Sequence, residues 1–146
     1  MKKVIFLVLL IFVNGCGYGM KYTKTILPVP PAISNFGIID VKDVKIVTKH
    51  GEIVSGKAMY VKSMLMAELQ NSKRFNIDEG ARHQLLVSID GYKAGYQKYI
   101  ALSAQILDTS SNKILWSSTI SGVSKKYIDE VIKNVVQELV KDMSGK

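Results

Sequence analysis

The fold is decided by residues 84–108, which read QLLVSIDGYKAGYQKYIALSAQILD. Apolar residues alternate with polar ones on both sides of a glycine-containing loop. The apolar positions that share a face are Leu85, Val87 and Ile89 before the loop, and Ile100, Leu102, Ala104 and Ile106 after it. A period of two residues is typical of a strand with one buried face. The stretch therefore predicts two strands of a sheet that is covered on one side.

A third strand and a helix follow this pair along the chain. Residues 109–113 form a polar hairpin connection, and residues 114–121 alternate again. Residues 128–143 place apolar side chains at i, i+3, i+4 and i+7, which is the spacing of an amphipathic helix. Asp129 and Glu130 in its first turn suit the helix dipole.

The residues before the central stretch supply the other elements. Residues 38–47 are rich in β-branched side chains and predict one strand or two short ones, and residues 75–77 predict another short strand. Residues 57–71 carry an apolar face with helical spacing. The order of elements predicts an α+β fold of two layers, in which a mostly antiparallel sheet of four to five strands has two helices packed on one face.

The N-terminus has the layout of an export signal. Met1-Lys2-Lys3 is followed by an apolar run over residues 4–13 and then by Asn14-Gly15-Cys16. The run is about half of the roughly 20 apolar residues that a spanning helix needs. Residues 13–16 resemble the lipobox of bacterial lipoproteins, which implies that Cys16 is lipidated after cleavage. An ordinary signal peptide or a free thiol is the alternative. Cys16 is the only cysteine, so an intramolecular disulfide is excluded.

Three regions follow from this reading. Residues 1–15 are the signal peptide, residues 16–35 are the lipidated cysteine and a proline-containing tether, and residues 36–146 are the α+β interaction domain. All three prolines lie within residues 28–31, which favours extended structure. The net charge is +8, and removing the signal leaves about +6. Because the lysines are scattered and the chain is exported, we expect no nucleic-acid partner; an anionic membrane surface fits better.

The sequence offers little chemistry. His50 and His83 are the only histidines, and neither has carboxylates at a metal-ligand spacing. Catalytic motifs with glycine-rich or metal-binding patterns do not occur in the sequence. We therefore expect a protein that is not an enzyme, with no catalytic residues, no cofactor and no metal site.

Three tyrosines around the central loop are candidate partner-binding residues. Tyr92, Tyr96 and Tyr99 alternate with Gly91 and Gly95. Aromatic rings on such a loop can bind a sugar or a partner protein. The alternative is that the rings cap the edge of the sheet.

The C-terminal third resembles periplasmic lipoproteins of the curli-secretion-channel (CsgG-like) superfamily, which includes penicillin-binding-protein activators and polymer-export lipoproteins. In that superfamily a strand ends in aspartate, a hairpin of pattern D-x-x-x-G/N-x-ϕ-x-W follows, and a helix closes the domain. Asp108, Asn112 and Trp116 fill the pattern here. The resemblance implies a binding role in an envelope assembly.

A second resemblance is to the small lipopolysaccharide-assembly lipoprotein that partners an outer-membrane β-barrel. It is carried by the opening Cys16-Gly17-Tyr18 and by residues 86–90. We therefore expect a non-catalytic accessory or assembly subunit of a cell-envelope complex for secretion, polymer export or cell-wall synthesis, with the lipopolysaccharide-assembly role as the alternative. Gly17 after the cysteine suits the outer membrane, and the expected partners are the membrane, through the lipid, and an envelope protein or further copies of the chain.

Overall fold

The structure is a computed structural model that describes residues 19–146, without the side chains of Ile38, Val47, Thr48 and Ile53. The expected signal peptide and Cys16 lie outside the described residues. Within residues 19–146 the elements follow one another in this order: β1 (Lys21–Thr25), β2 (Asn35–Phe36), β3 (Ile38–Lys42), β4 (Lys45–Thr48), β5 (Gly51–Val54), α1 (Ala58–Asn71), β6 (Asn76–Ile77), β7 (His83–Ala94), β8 (Lys98–Asp108), β9 (Lys113–Ser124) and α2 (Ile128–Met143).

One five-stranded sheet organises the domain, with strand order β1-β9-β8-β7-β3. Strands β7, β8 and β9 form the predicted antiparallel meander, and β1 adds antiparallel to β9. Strand β3 lies parallel to β7 at the other edge. The predicted α+β fold with a mostly antiparallel sheet is confirmed. Two small pairs stand apart from this sheet, namely β2 with β6 and the hairpin of β4 and β5.

Both helices cover the same face of the sheet, because the apolar alternate residues of β7 and β8 are buried beneath them. The helices run in the same direction. Near their N-termini Lys57 Nζ lies 2.7 Å from Asp129, and further along Gln137 donates a 3.0 Å hydrogen bond to Glu68. The apolar stripe of α2 is buried from Val131 to Met143, as its spacing predicts, and Ile128 at its start is partly buried.

The segment expected to be a tether belongs to the domain from Lys21 onward. Residues 21–25 pair with β9 as an edge strand, and Val29 and Ile33 are buried in the core. Because proline has no backbone N–H, this part of the chain cannot form a regular ladder of strand hydrogen bonds, and contacts with side chains stabilise it. Arg74 donates to the carbonyls of Val29 and Pro30, and this is why residues 26–34 pack down rather than extend. We call residues 26–34 the strap.

The domain has two distinct ends. At the first, residues 94–98 connect β7 to β8 and residues 124–128 lead from β9 into α2. We call it the tyrosine end, after Tyr96 and Tyr127. At the opposite end, the far end, residues 108–113 connect β8 to β9, and the strap meets the C-terminus of α2 through a 3.0 Å hydrogen bond from Val29 N to the Met143 carbonyl.

Candidate functional site

The face of the sheet opposite the helices carries small hydroxyl side chains. Cross-strand pairing places Thr25, Thr119, Ser103 and Ser88 in one row across four strands. Since the alternate residues of β8 and β9 are in the core, these hydroxyl groups point away from it. Thr119 is exposed and Ser103 is half-buried. We call this surface the open face.

Two shallow hollows lie side by side on the open face. One, of about 220 Å³, is lined by residues that include Thr25, Ser117 and Thr119. The other, of about 230 Å³, is lined by residues of β3, β7 and β8. Ser103 and Gln105 line both, so the two hollows form one continuous surface. Hydroxyl and amide groups at this density can exchange hydrogen bonds with a polar partner.

A β-bulge places one carboxylate on this surface. The register of β7 and β8 shifts between Ile89 and Gly91, which leaves Asp90 as the extra residue. Its carboxylate accepts a 2.7 Å hydrogen bond from Ser88 Oγ and another from Ser103 Oγ. The bulge therefore ties the hydroxyl row to an exposed negative charge.

The three candidate tyrosines occupy three different places. Tyr92 is partly buried and packs against the core, on the helix side of the sheet. Tyr99 faces the open side, where its ring lies 2.8 Å from the position of a Cβ added at Gly91, so glycine is needed beside it. Tyr96 projects from the tyrosine end and is 77% exposed. The expected single cluster is not formed, because Tyr92 and Tyr99 lie on opposite faces. A binding role for these residues stays a prediction.

The tyrosine end is rich in exposed aromatic and basic side chains. Tyr127 is 84% exposed, and Lys125 Nζ lies 5.0 Å from the centre of the Tyr96 ring, within cation–π range. Strand β1 begins here, because Lys21 pairs with Val123 near the end of β9. The lysines at this end are Lys21, Lys93, Lys98, Lys125 and Lys126.

The sequence motif around the β8–β9 hairpin has a structural role. Arg82 donates two hydrogen bonds to the buried carboxylate of Asp108, one of them 2.7 Å long from Nε. Together with hydrogen bonds from Ser110 and Ser111, this guanidinium holds the pKa of the Asp108 carboxyl well below its usual range. Asn112 has φ of 54°, the left-handed region that a tight turn requires. Trp116 Nε1 donates a 2.8 Å hydrogen bond to the Leu27 carbonyl in the strap.

Other groups with displaced pKa values also hold the fold together. Burial opposes ionisation of Asp43, but hydrogen bonds from Ser55 and from the backbone lower the pKa of its carboxyl and close the β5–α1 connection. The pKa of Lys24 is raised, first by its hydrogen bond to Asp142 and then by that to Glu138, so β1 is fastened to α2.

The histidines lie apart. His50 sits at the exposed turn between β4 and β5, and His83 is half-buried at the start of β7. Within residues 19–146, no group of three or more His, Cys, Asp and Glu side chains could hold a metal ion. Over the same residues, no helix has both the length and the apolar character to cross a membrane.

No protein-family model matches the sequence, and no curated protein sequence matches it. Solved structures do share its fold. A point variant of PelC from Paraburkholderia phytofirmans, a dodecamer, superposes with a TM-score of 0.64 at 12% identity, covering 88% of this chain and 100% of that one. Protein XCC0632 from Xanthomonas campestris, of the family described as DUF330, has a TM-score of 0.56 at 12% identity, covering 83% and 94%.

A weaker likeness is to lipoprotein GNA1162 from Neisseria meningitidis, with a TM-score of 0.41 at 12% identity over 78% of this chain and 98% of that one. That value is too low to support a structural argument. At 12% identity the two stronger likenesses, to PelC and XCC0632, establish a shared fold over most of the chain.

Proposed function

We propose that this chain is a lipid-anchored, non-catalytic subunit of a cell-envelope assembly, in which several copies of the chain associate. The anchor is argued from the sequence: a basic start, a short apolar run and Cys16 follow one another as in exported lipoproteins. Cys16 takes the lipid, and the domain from Lys21 onward faces the periplasm.

The observation that carries the association is the fold shared with PelC, which forms a dodecamer. The superposition covers 88% of this chain and 100% of that one, which supports an assembly of several copies, and we propose that the copies form a ring. A ring requires a heterologous contact, in which two different surfaces of one chain meet. The open face is our candidate for one of them, because it is the uncovered side of a two-layer fold and presents hydroxyl groups for hydrogen bonds.

The distribution of charges supports binding rather than catalysis. Asp108, Asp43 and Lys24 have displaced pKa values, and each is engaged in a contact that joins parts of the fold. A catalytic acid or base is expected to be a side chain with a displaced pKa that lies in a cleft. The hollows of the open face are shallow; one is lined mainly by hydroxyl and amide groups, and the other also by Asp40 and Lys42. None of the three side chains with displaced pKa values named above lines either hollow.

The test is to express the full-length chain in bacterial cells, crosslink it in place, and identify the crosslinked species by affinity purification and mass spectrometry. Labelling with palmitate reports the anchor, with Cys16→Ser as the unlipidated control. Multimers of the chain, or complexes with a secretion, export or cell-wall component, support the proposal. A complex with an outer-membrane β-barrel alone favours the lipopolysaccharide-assembly role, and monomers alone contradict both.

The contact surface is tested by a pair of matched variants. Thr119→Arg places a long charged side chain in the hydroxyl row of the open face, whereas Ser63→Arg places the same side chain on the exposed side of α1. We expect Thr119→Arg to reduce the multimer fraction and Ser63→Arg to leave it unchanged. Equal multimer fractions in the two variants would contradict the assignment of the open face.

A further inference from the structure

The anchor and the first strand are separated by very little chain. Lys21 follows Cys16 by about five residues, and a fully extended chain spans at most about 3.6 Å per residue. A lipid on Cys16 is therefore within about 18 Å of the start of β1. Because β1 starts beside Val123, this short connection brings the tyrosine end, rather than the far end, to the membrane.

The tyrosine end has the composition that a membrane interface favours. Tyr127 and Tyr96 are 84% and 77% exposed, and Met59 in the first turn of α1 is 74% exposed. Tyrosine rings partition to the headgroup region, where the apolar ring and the polar hydroxyl group are both solvated well.

The charges at this end are mostly positive. Asp129 and Glu130 are each paired with a lysine, Lys57 and Lys126 respectively. Within the described part of the chain, Lys21, Lys93 and Lys98 form no ion pair, so their charges are available to another molecule. Basic side chains next to an anionic leaflet are attracted to its headgroups.

From these observations we propose that the tyrosine end docks directly on an anionic lipid surface, with Tyr96 and Tyr127 in the headgroup region and the neighbouring lysines on the lipid phosphates. This proposal rests on the proposed function, because the lipid lies close to the tyrosine end only if Cys16 is lipidated. The apolar residues of the far end do not compete for the same surface. Ile114 precedes Val123 by about nine residues along β9, which is about 30 Å and beyond the reach of the anchor.

The first test locates the membrane contact in the lipidated full protein, reconstituted into vesicles of phosphatidylcholine and phosphatidylglycerol. Trp116, the only tryptophan, lies at the far end and serves as the internal control. Tyr96→Trp adds a second indole at the tyrosine end. Brominated lipids should quench the added fluorescence and leave that of wild-type Trp116 unchanged. Quenching of Trp116, or no quenching of the added indole, would overturn the proposal.

The second test measures surface binding without the lipid. The chain from residue 16 with Cys16→Ser keeps every described element, and its sedimentation with phosphatidylglycerol-containing vesicles is compared with that of two double variants. Lys93→Gln with Lys98→Gln should bind about 25-fold more weakly, at about fivefold per lysine. Lys73→Gln with Lys113→Gln, both at exposed positions of the far end, should bind as the parent does.

The two proposals fail separately. Absence of palmitate with vesicle binding that still depends on Lys93 and Lys98 contradicts the anchor and supports the basic surface. Palmitate on Cys16 without lysine-dependent binding supports the anchor and overturns the docking surface. Binding to phosphatidylcholine alone that equals binding to the anionic vesicles would also overturn it, because lysine attraction requires a charged surface.

Discussion

Arg74 offers the sharpest test of how the strap is held. Its guanidinium donates a 2.6 Å hydrogen bond to the Met143 carbonyl and others to the carbonyls of Val29 and Pro30. Hydrogen bonds to a charged donor contribute about 1.5–3 kcal/mol each, and we take the lower value because Arg74 is half-buried. Counting the two shorter bonds, to the carbonyls of Met143 and Val29, Arg74→Ala should lower the free energy of unfolding by about 3 kcal/mol.

Urea unfolding of the unlipidated chain measures this change. Fluorescence of Trp116 is a suitable probe, because its indole donates to the Leu27 carbonyl in the strap. Arg74→Lys keeps the charge, but one ammonium group cannot reach three carbonyls. This variant should therefore lower the free energy of unfolding by about 1.5 kcal/mol. A loss below about 0.5 kcal/mol for Arg74→Ala would refute the reasoning, since the strap would then be held by burial of its apolar side chains and by its hydrogen bonds with Trp116 and Met143.

Three further predictions concern the sheet and its junctions. The lowered pKa of Asp108 means that its ionised form stabilises the fold above a pH of about 4 and loses this effect on acidification, so Asp108→Asn should flatten the fall of melting temperature below that pH. A Cβ at Gly122 would lie 2.4 Å from Val135 Cγ2, so Gly122→Ala should cost about 1–3 kcal/mol in thermal unfolding, whereas Gly19→Ala, with nothing within 4 Å, should cost little. The pKa of Lys24 is raised in the folded protein, so its pairing with α2 stabilises the fold below the ordinary pKa of 10.5 and is lost as the pH rises through the higher folded value. Lys24→Met should therefore lower the free energy of unfolding by about 0.5–1 kcal/mol at pH 7 and by less in high salt. Above the folded pKa the substitution should cost nothing, and urea titration measures each of these values.

The regular elements were predictable because their patterns are long. Alternation through residues 84–108 specifies which side chains face the core, and the stripe of α2 leaves only one face to bury. A sheet covered on one side by two helices follows from those periods without knowledge of any long-range contact. The partner of β3 could not be read in the same way, since its parallel pairing with β7 joins residues that are far apart in sequence.

The strap shows why short irregular segments resist such prediction. Its prolines are typical of a spacer, and its two buried residues, Val29 and Ile33, are too few to set a period. What fixes it is Arg74, whose position in the sequence does not indicate that it will donate to carbonyls about 44 residues earlier. The hydroxyl row was hidden for a related reason. Each of its members is an ordinary polar residue of a half-buried strand, and only the register of four strands places them side by side.

Packing of the strap against the domain restricts the orientations that the proposed lipid anchor would allow. If residues 16–35 were a free tether, the domain could stand well away from the membrane in any orientation. Because β1 begins at Lys21, only about five residues separate it from Cys16 in the sequence, and β1 starts at one end of the sheet. With the proposed lipid on Cys16, the anchor would constrain orientation as well as location: the tyrosine end would turn to the bilayer, and the open face would stand roughly perpendicular to it. A sheet face held upright beside a membrane can meet the next copy laterally, so a short anchor favours the same planar ring geometry on which the proposed assembly depends.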